Sequence, residues 1–251
     1  MAGYYKTEAI VLRSMRLREA DRIVHMYTGT HGKVGAVVKG VRRTKSRFGA
    51  RLEPFSRVSL VLYEGRGDLD TVTQAQCVEW YPRLREHGGA IYTAGAACES
   101  VLRLFGEGEG NPAAYNLLCH ELQLLDSDPG AGGGANLLAF RMKLLLAAGF
   151  VPELGDCARC GQNIAASAQA DSPVREGMLR FSAAAGGVIC HDCGTGDGFA
   201  LDEAARAFMI GALGAPLKDA PTASRATLNQ VERAVCGTVE YHAHVQLRSV
   251  A

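Results

Sequence analysis

Cys157-Ala-Arg-Cys160 and Cys190-His-Asp-Cys193 are two C-x-x-C pairs separated by 29 residues. Each pair can place two thiolates on one ion from a tight turn, and two such turns complete a tetrahedral site. The spacer exceeds the roughly 15 to 20 residues usual for such motifs, so a small structure must fold within it. Residues 178–182 can supply a strand, and residues 186–189 a turn and a return strand. The sequence therefore predicts a zinc-ribbon-like segment that holds one structural Zn²⁺ through Cys157, Cys160, Cys190 and Cys193.

Two other uses of these cysteines are disulfides and a thioredoxin-like redox couple. Disulfides are disfavoured because the first residues lack the apolar core of a secretory signal. The other cysteines, Cys77, Cys98, Cys119 and Cys236, also lie in apolar, core-like contexts. A redox pair would occupy a βαβ unit, and no such pattern surrounds either pair. Four thiolates leave no open position for catalysis, and they make His191 a bystander.

Composition places the chain among ordinary globular proteins. Its 251 residues are 47% hydrophobic and 21% charged, which suits two or three small domains. No apolar run reaches about 18 residues, so we expect no membrane span. Eight cysteines and a zinc site suit a reducing compartment, and we expect a cytoplasmic protein.

The net charge of +1 is unevenly distributed along the chain. Residues 1–82 contain 14 Lys and Arg against 8 Asp and Glu, whereas the remaining residues contain 13 against 18. The first third therefore carries +6 and the rest −5. This division predicts a nucleic-acid-binding face in the first third and protein-docking surfaces in the remainder.

The first 80 residues show strand patterns joined by tight turns, without helical periodicity. The predicted strands lie within 9–12, 21–27, 33–39, 54–64 and 69–78. Five short strands predict a small closed barrel of the OB type, which commonly binds single-stranded nucleic acid. An SH3-like barrel would give almost the same pattern.

Residues 39–51 contain six cations, one aromatic residue and no acid. Cations spaced along a loop can neutralise backbone phosphates, although a solvated surface loop would have the same composition. The candidate DNA-binding residues here are Lys39, Arg42, Arg43, Lys45, Arg47 and Arg51. Arg22, together with Arg16 and Arg18 around the first turn, would extend this face. Phe48 could stack on a base or pack inside the barrel.

Beyond Pro82 the pattern becomes helical. The predicted helices are 83–105, 112–125, 135–148, 201–213 and 222–248, with Asn111 and Asp202 as N-caps. The third is almost wholly apolar, so we expect it to be buried. His242 and His244 resemble a metal pair, but a surface or core role suits a terminal amphipathic helix better. We therefore expect an α+β multidomain protein divided into 1–82 (barrel), 83–150 (helical), 151–199 (zinc segment) and 200–251 (helical).

Several blocks of this sequence, in order and spacing, resemble the bacterial RecO family of recombination mediator proteins along essentially the whole chain. The blocks are 7–12 (TEAIVL), 19–24 (EADRIV), 32–33 (GK), 38–43 (VKGVRR), 52–55 (LEPF), 140–145 (FRMKLL), 149–152 (GFVP), Phe181, 186–187 (GG) and the four cysteines. Each block alone is weak, but together they make the resemblance specific.

The resemblance implies an N-terminal OB domain, a helical domain and a zinc-binding segment. It also implies binding to single- and double-stranded DNA, annealing of complementary strands, and action in the RecF pathway of repair and recombination. The implied partners are RecR, single-stranded DNA-binding protein and, indirectly, RecA, with nucleoid association in the cytoplasm. Family members without the cysteines support a stabilising role for zinc. By position, the cations of residues 39–51 correspond to DNA-contacting charge in the family.

Two alternatives belong to other functional classes. A zinc-ribbon and OB component of the transcription or translation machinery would combine the same parts, but would prefer structured RNA or polymerase to single-stranded DNA. An enzyme with a zinc-stabilised lobe would need paired carboxylates or a nucleophile beside a base, and no spacing suggests either. The sequence also lacks the phosphate-binding G-x-x-x-x-G-K-[ST] motif. We therefore expect a protein that binds DNA without catalysing bond formation.

Overall fold

The computed structural model describes residues 3–41, 48–65, 67–164, 178–194 and 198–248. The chain divides into two compact units, Met1–Gly132 and Gly133–Ala251. The four-part division at residues 82, 150 and 199 stays a prediction. Within the described ranges, no helix combines the length and the apolar character needed to cross a membrane.

The first unit contains a closed five-stranded barrel with the strand order β1-β2-β3-β5-β4. The strands are β1 (Gly3–Arg16), β2 (Arg22–Thr28), β3 (Gly32–Val38), β4 (Arg57–Glu64) and β5 (Asp70–Glu79). Strand β1 pairs antiparallel with both β2 and β4, whereas β3 meets β5 in parallel. This closure is that of an OB-type barrel and not of an SH3-like one, and the predicted α+β fold with an N-terminal OB-type barrel is confirmed.

A bulge in β1 lets this long strand pair with both β2 and β4. The register with β2 shifts between Val11 and Arg13, and the backbone of Val11 bonds instead to Phe55 and Ser56. Before the bulge Ala9 points into the barrel, whereas after it the residue paired with inward-facing Val24 is Ser14. A bulge of this kind reverses which residues face outward. Arg13 consequently lies exposed on the outer surface.

Two helices, α1 (Gly88–Leu104) and α2 (Pro112–Ser127), belong to the same unit as the barrel. Asn111 caps α2 as predicted, because its side chain accepts a hydrogen bond from the Ala114 amide at 2.9 Å. The connection between the helices packs on the β2–β3 turn, where a Cβ on Gly32 would lie 2.3 Å from the Glu109 carbonyl oxygen. A Cβ on Gly110 would lie similarly close to the Thr30 carbonyl oxygen, at 2.4 Å. This end of the barrel is therefore covered by protein.

Among its described residues, the second unit combines three helices with a small antiparallel sheet of order β7-β6-β8. Its elements are α3 (Gly134–Ala148), β6 (Met178–Ser182), β7 (Gly187–Ile189), β8 (Phe199–Asp202), α4 (Glu203–Gly214) and α5 (Arg225–Ala243). Helix α3 is largely buried, as predicted. Strand β8 was not predicted. Asp202 precedes α4 but does not cap it through its side chain, since its carboxylate accepts a hydrogen bond from Gln230 at 2.6 Å.

Candidate metal centre and nucleic-acid interface

The four predicted ligands converge in the second unit. The sulfur atoms of Cys157, Cys160, Cys190 and Cys193 all lie within 4.8 Å of one another. Cys160 Sγ and Cys190 Sγ are 3.8 Å apart. A tetrahedral zinc ion with bonds of about 2.3 Å would separate its sulfur ligands by about 3.8 Å. The cluster therefore has the size and donor set of a four-thiolate metal site.

Backbone hydrogen bonds form the first cysteine turn and tie it to the sheet. Cys157 N donates to the Gln162 carbonyl, and Gly161 N donates to the Cys157 carbonyl, both at 2.8 Å. Gly161 adopts φ +73°, a left-handed conformation that glycine accommodates without strain. Ala158 N donates to the Val188 carbonyl of β7 at 2.8 Å. The sheet thus positions the first cysteine pair through backbone hydrogen bonds alone.

The second cysteine turn is bound to the first and follows β7 directly. Arg159 Nη1 donates to the Cys193 carbonyl at 2.9 Å, which joins the two turns. Cys190 N donates to Cys157 Sγ at 3.3 Å. His191 is predicted to be a bystander, and its side chain is 91% exposed, outside the four-sulfur cluster. The strand and turn expected for residues 178–189 are the β6–β7 hairpin, so the ribbon-like layout is confirmed.

The cysteines differ in their readiness to lose a proton. Burial would raise the pKa of Cys157, but hydrogen bonds from the amides of Cys190, Cys160 and Arg159 outweigh it and lower that pKa to about 6. Hydrogen bonds with the Cys190 and Cys160 side chains raise the pKa of Cys193 to about 12. A cation is needed to hold all four as thiolates. A set of four sulfur ligands leaves no open position, so such a centre stabilises the fold.

Close backbone packing also requires a glycine at the start of β7. A Cβ on Gly187 would lie 2.2 Å from the Glu153 carbonyl oxygen. That carbonyl accepts a hydrogen bond from Val188 N at 2.9 Å, so the strand cannot move away without breaking it. The Glu153 side chain accepts bonds from the amides of Gly155 and Asp156, which lower the pKa of Glu153. The segment leading into Cys157 is thereby fixed to the hairpin.

His242 has a packing role, which agrees with the preference for a surface or core role. Its Nε2 lies 3.0 Å from the Ala183 carbonyl oxygen, and its ring stacks on Phe150 with centroids 6.0 Å apart. His244, just beyond α5, has φ +55°. Neither histidine belongs to the metal-ligand cluster found among the described residues.

The segment of residues 39–51, here called the basic loop, begins and ends at the barrel end opposite the covered β2–β3 turn. Lys39 follows β3 and is exposed, as is Arg51 in the 3-10 turn Gly49–Leu52. Gly40 N donates to Asp21 Oδ1 at 2.8 Å, which fastens the start of the loop to the β1–β2 turn. Four of the candidate DNA-binding residues, Arg42, Arg43, Lys45 and Arg47, lie outside the described residues. Their role in DNA binding stays a prediction.

Arg22 fastens the other end of the loop. Its Nη1 forms an ion pair with Glu53 Oε1 at 2.8 Å and lies 3.5 Å from the Ser14 hydroxyl. The Arg22 side chain keeps 27% exposure, so this ion pair is partly accessible to solvent. Arg16 and Arg18, in and beside the same turn, are exposed. The structure thus brings Arg22, Lys39 and these two arginines to one end of the barrel.

Phe48 packs inside the barrel. It is 3% exposed and belongs to the hydrophobic cluster that includes Val38, Leu52 and Val72. Of the two roles considered for this ring, the structure supports core packing. The ring is therefore not presented to a base.

A second basic group, not predicted from the sequence, lies on the outer face of β1, β2 and β3. Arg13 pairs with His25, and His25 with Gly35, across three neighbouring strands. Lys33 lies two residues before Gly35 on the same face. Burial, Arg13 and Lys33 together lower the pKa of His25, whereas Glu107 opposes this shift. The alternation of residues along β3 would have predicted that Lys33 faces outward. The same alternation along β1 would have placed Arg13 inside the barrel, because the bulge in β1 has no signal in the sequence pattern.

These features define a class of protein: an OB-type barrel with a basic end, joined in the same chain to a helical unit that carries a cluster of four cysteines able to bind a metal ion. The recombination protein O N-terminal model matches residues 1–81, and the recombination protein O C-terminal model matches residues 85–251. The chain belongs to the recombination protein O (RecO) family.

Curated relatives agree with this assignment. The DNA repair protein RecO of Rubrobacter xylanophilus is 41% identical over 189 residues, covering 75% of this chain and 71% of the relative. The protein of the same name from Bifidobacterium animalis subsp. lactis is 42% identical over 198 residues, covering 77% and 75%. The Streptomyces avermitilis protein is 38% identical over 226 residues, covering 83% and 82%.

Proposed function

We propose that this chain is a DNA-binding recombination mediator that acts in DNA repair. It binds single- and double-stranded DNA through the barrel and anneals complementary strands. With RecR, it helps to load RecA onto DNA covered by single-stranded DNA-binding protein, in the cytoplasm at the nucleoid. It works by binding and positioning DNA and not by catalysing bond formation.

One observation carries the proposal beyond family membership: a loop with six cations and no acid is fastened at both ends to an OB-type barrel. Cations of this kind bind backbone phosphates, and such contacts are tolerant of sequence. An annealing protein needs that tolerance, because the base edges must stay free to find their complement. Exposed Lys39 and Arg51 mark the two ends of the proposed phosphate-binding surface.

The outer face of β1–β3 extends this surface. Arg13 and Lys33 influence His25 electrostatically from the two neighbouring strands, and Glu107 opposes them. With the imidazole protonated, three cations face one carboxylate, so the region keeps an excess of positive charge. Phosphate groups are the ligands that such a region suits best. We place the DNA backbone across the barrel end and along this face.

The metal of the second unit is proposed to be one structural Zn²⁺ bound by the four cysteines. When bound, it supplies a tetrahedral crosslink and no reactive position. Residues 83–251, with a charge of −5, are proposed to dock protein partners, since such a surface repels phosphate. This part of the chain leaves DNA binding to the barrel.

The test is binding of fluorescently labelled single-stranded DNA by the full chain, with and without RecR. The variant R42A/R43A should bind all sequences more weakly and anneal strands more slowly. It should also flatten the plot of log affinity against log salt by about 0.7 for each single-strand phosphate that the loop no longer binds. The matched control is K218A/R225A, which removes two exposed cations from the second unit.

Wild-type affinity and salt slope in R42A/R43A would show that the loop is merely solvated, and would move the DNA site towards Arg16, Arg18 and Arg22. A competition titration addresses the alternative of a transcription or translation component. Structured RNA that displaces single-stranded DNA at much lower concentration than unlabelled DNA would favour that alternative.

A further inference from the structure

Two tyrosines form an exposed pair on the outer surface of the barrel. Tyr4 of β1 and Tyr63 of β4 lie directly opposite each other, with ring centroids 5.0 Å apart and planes tilted by 54°. Tyr4 is 71% exposed and Tyr63 36% exposed. Large apolar surface grouped in this way commonly marks an interaction site on a soluble protein.

The surroundings of the pair favour an anionic, aromatic ligand. Exposed Lys6 lies two residues along β1 on the same face, opposite half-buried Val61 of β4. The carboxylate of Glu8 is engaged by Arg57 at 2.7 Å. The surface therefore presents two rings, an aliphatic side chain and an ammonium group. Single-stranded nucleic acid is bound by this combination of stacking platform and nearby cation.

The tyrosine pair is continuous with the basic outer face. Strand pairing joins Tyr63 to Thr71 of β5, Thr71 to Val37 of β3, and Val37 to Ile23 of β2. At about 4.8 Å per strand, Val37 lies about 10 Å from Tyr63 around the barrel. On the same face, Lys39 follows Val37 and His25 follows Ile23 by two residues each. One band thus connects the rings to the cations.

We propose that Tyr4 and Tyr63 form a stacking platform for unpaired bases of single-stranded DNA lying along this band. The inference rests on the proposed DNA-binding function and names a part of the surface that discriminates single strands from duplexes. Every base has a π-face, so stacking would keep the sequence tolerance that annealing requires. Bases in a duplex are already stacked on one another and cannot use the platform.

The test compares Y4A/Y63A with wild-type protein on labelled single-stranded DNA and on a duplex of the same sequence. Single-strand affinity should fall about 5-fold to 150-fold for each base that no longer stacks, while duplex affinity stays within about twofold. The salt slope should not change, since no cation is removed. Y4F/Y63F, which keeps both rings, should bind like wild type. The control Y92A removes an exposed tyrosine from α1.

Equal losses of affinity for single strands and duplex, or no loss for either, would overturn the platform. Unchanged DNA binding with weaker binding of RecR would assign the pair to a protein partner and also overturn it. The single variant Y4T, at the more exposed position, decides the matter if the double variant unfolds. Failure of wild-type protein to bind DNA would instead refute the proposed function.

Discussion

Phe48→Ala distinguishes the two roles that the sequence allows for this ring. Phe48 is 3% exposed in the barrel core, so its truncation leaves a cavity among Val38, Leu52 and Val72. Phe→Ala changes at such sites cost about 3–5 kcal/mol. A domain of typical stability, about 5–15 kcal/mol, would keep only part of that free energy. We therefore expect a markedly lower urea midpoint for unfolding of the barrel unit.

The assay is urea unfolding followed by circular dichroism, with Phe48→Leu as the milder control. Leu refills most of the space, so its midpoint should lie much closer to wild type. Single-stranded DNA affinity, measured well below the unfolding midpoint, provides the opposing test. Full stability with strongly reduced DNA affinity in Phe48→Ala would refute core packing and restore the base-stacking role.

The metal centre and the hairpin each give one further prediction, and the outer face gives two. Cys160→Ser should reduce the zinc found by elemental analysis and lower overall stability, because metal-binding energy is folding energy; freshly purified wild-type protein without zinc would contradict the site. The pKa of His25 is lowered in the folded protein, so as pH falls the unfolded chain binds a proton on this residue before the folded chain does. The free energy of unfolding should therefore decline as pH falls through about 6.5. A bound phosphate would favour the protonated imidazole of His25, so DNA affinity should rise as pH falls, by at most about tenfold per pH unit. This pH dependence should be smaller in His25→Gln. Equal pH dependence of DNA affinity in both proteins would exclude His25 from the DNA-binding surface. Gly187→Ala should destabilise the hairpin, whereas Gly88→Ala, where a Cβ meets nothing within 4 Å, should not; equal melting temperatures would contradict the close approach to Glu153.

The sequence predicted elements whose signals are local. Cysteine spacing and the apolar run before Cys190 were enough to predict the β6–β7 hairpin and the four-sulfur cluster. Strand alternation predicted five barrel strands, but strand order depends on pairing between distant residues. The parallel pairing of Ala36 with Asp70, which distinguishes the OB-type closure, has no local signal.

The features that sequence patterns did not predict have physical causes of the same kind. The bulge between Val11 and Arg13 reverses the outward face of β1, and nothing in the local pattern marks it. The core role of Phe48 depends on side chains from three other parts of the chain. Asp202 is of a residue type that commonly caps helices, but its carboxylate accepts a hydrogen bond from Gln230 of α5 instead.

The close packing of the β2–β3 turn on the α1–α2 connection has a consequence for dissecting this protein. Gly32 and Gly110 meet the opposing backbone so closely that neither position has room for a side chain. A fragment ending near residue 82, where the two family models part, would leave that turn uncovered and Tyr27 without Phe105, whose ring lies 5.4 Å away. The smallest fragment that retains an intact barrel surface should therefore extend to Gly132 and include both α1 and α2.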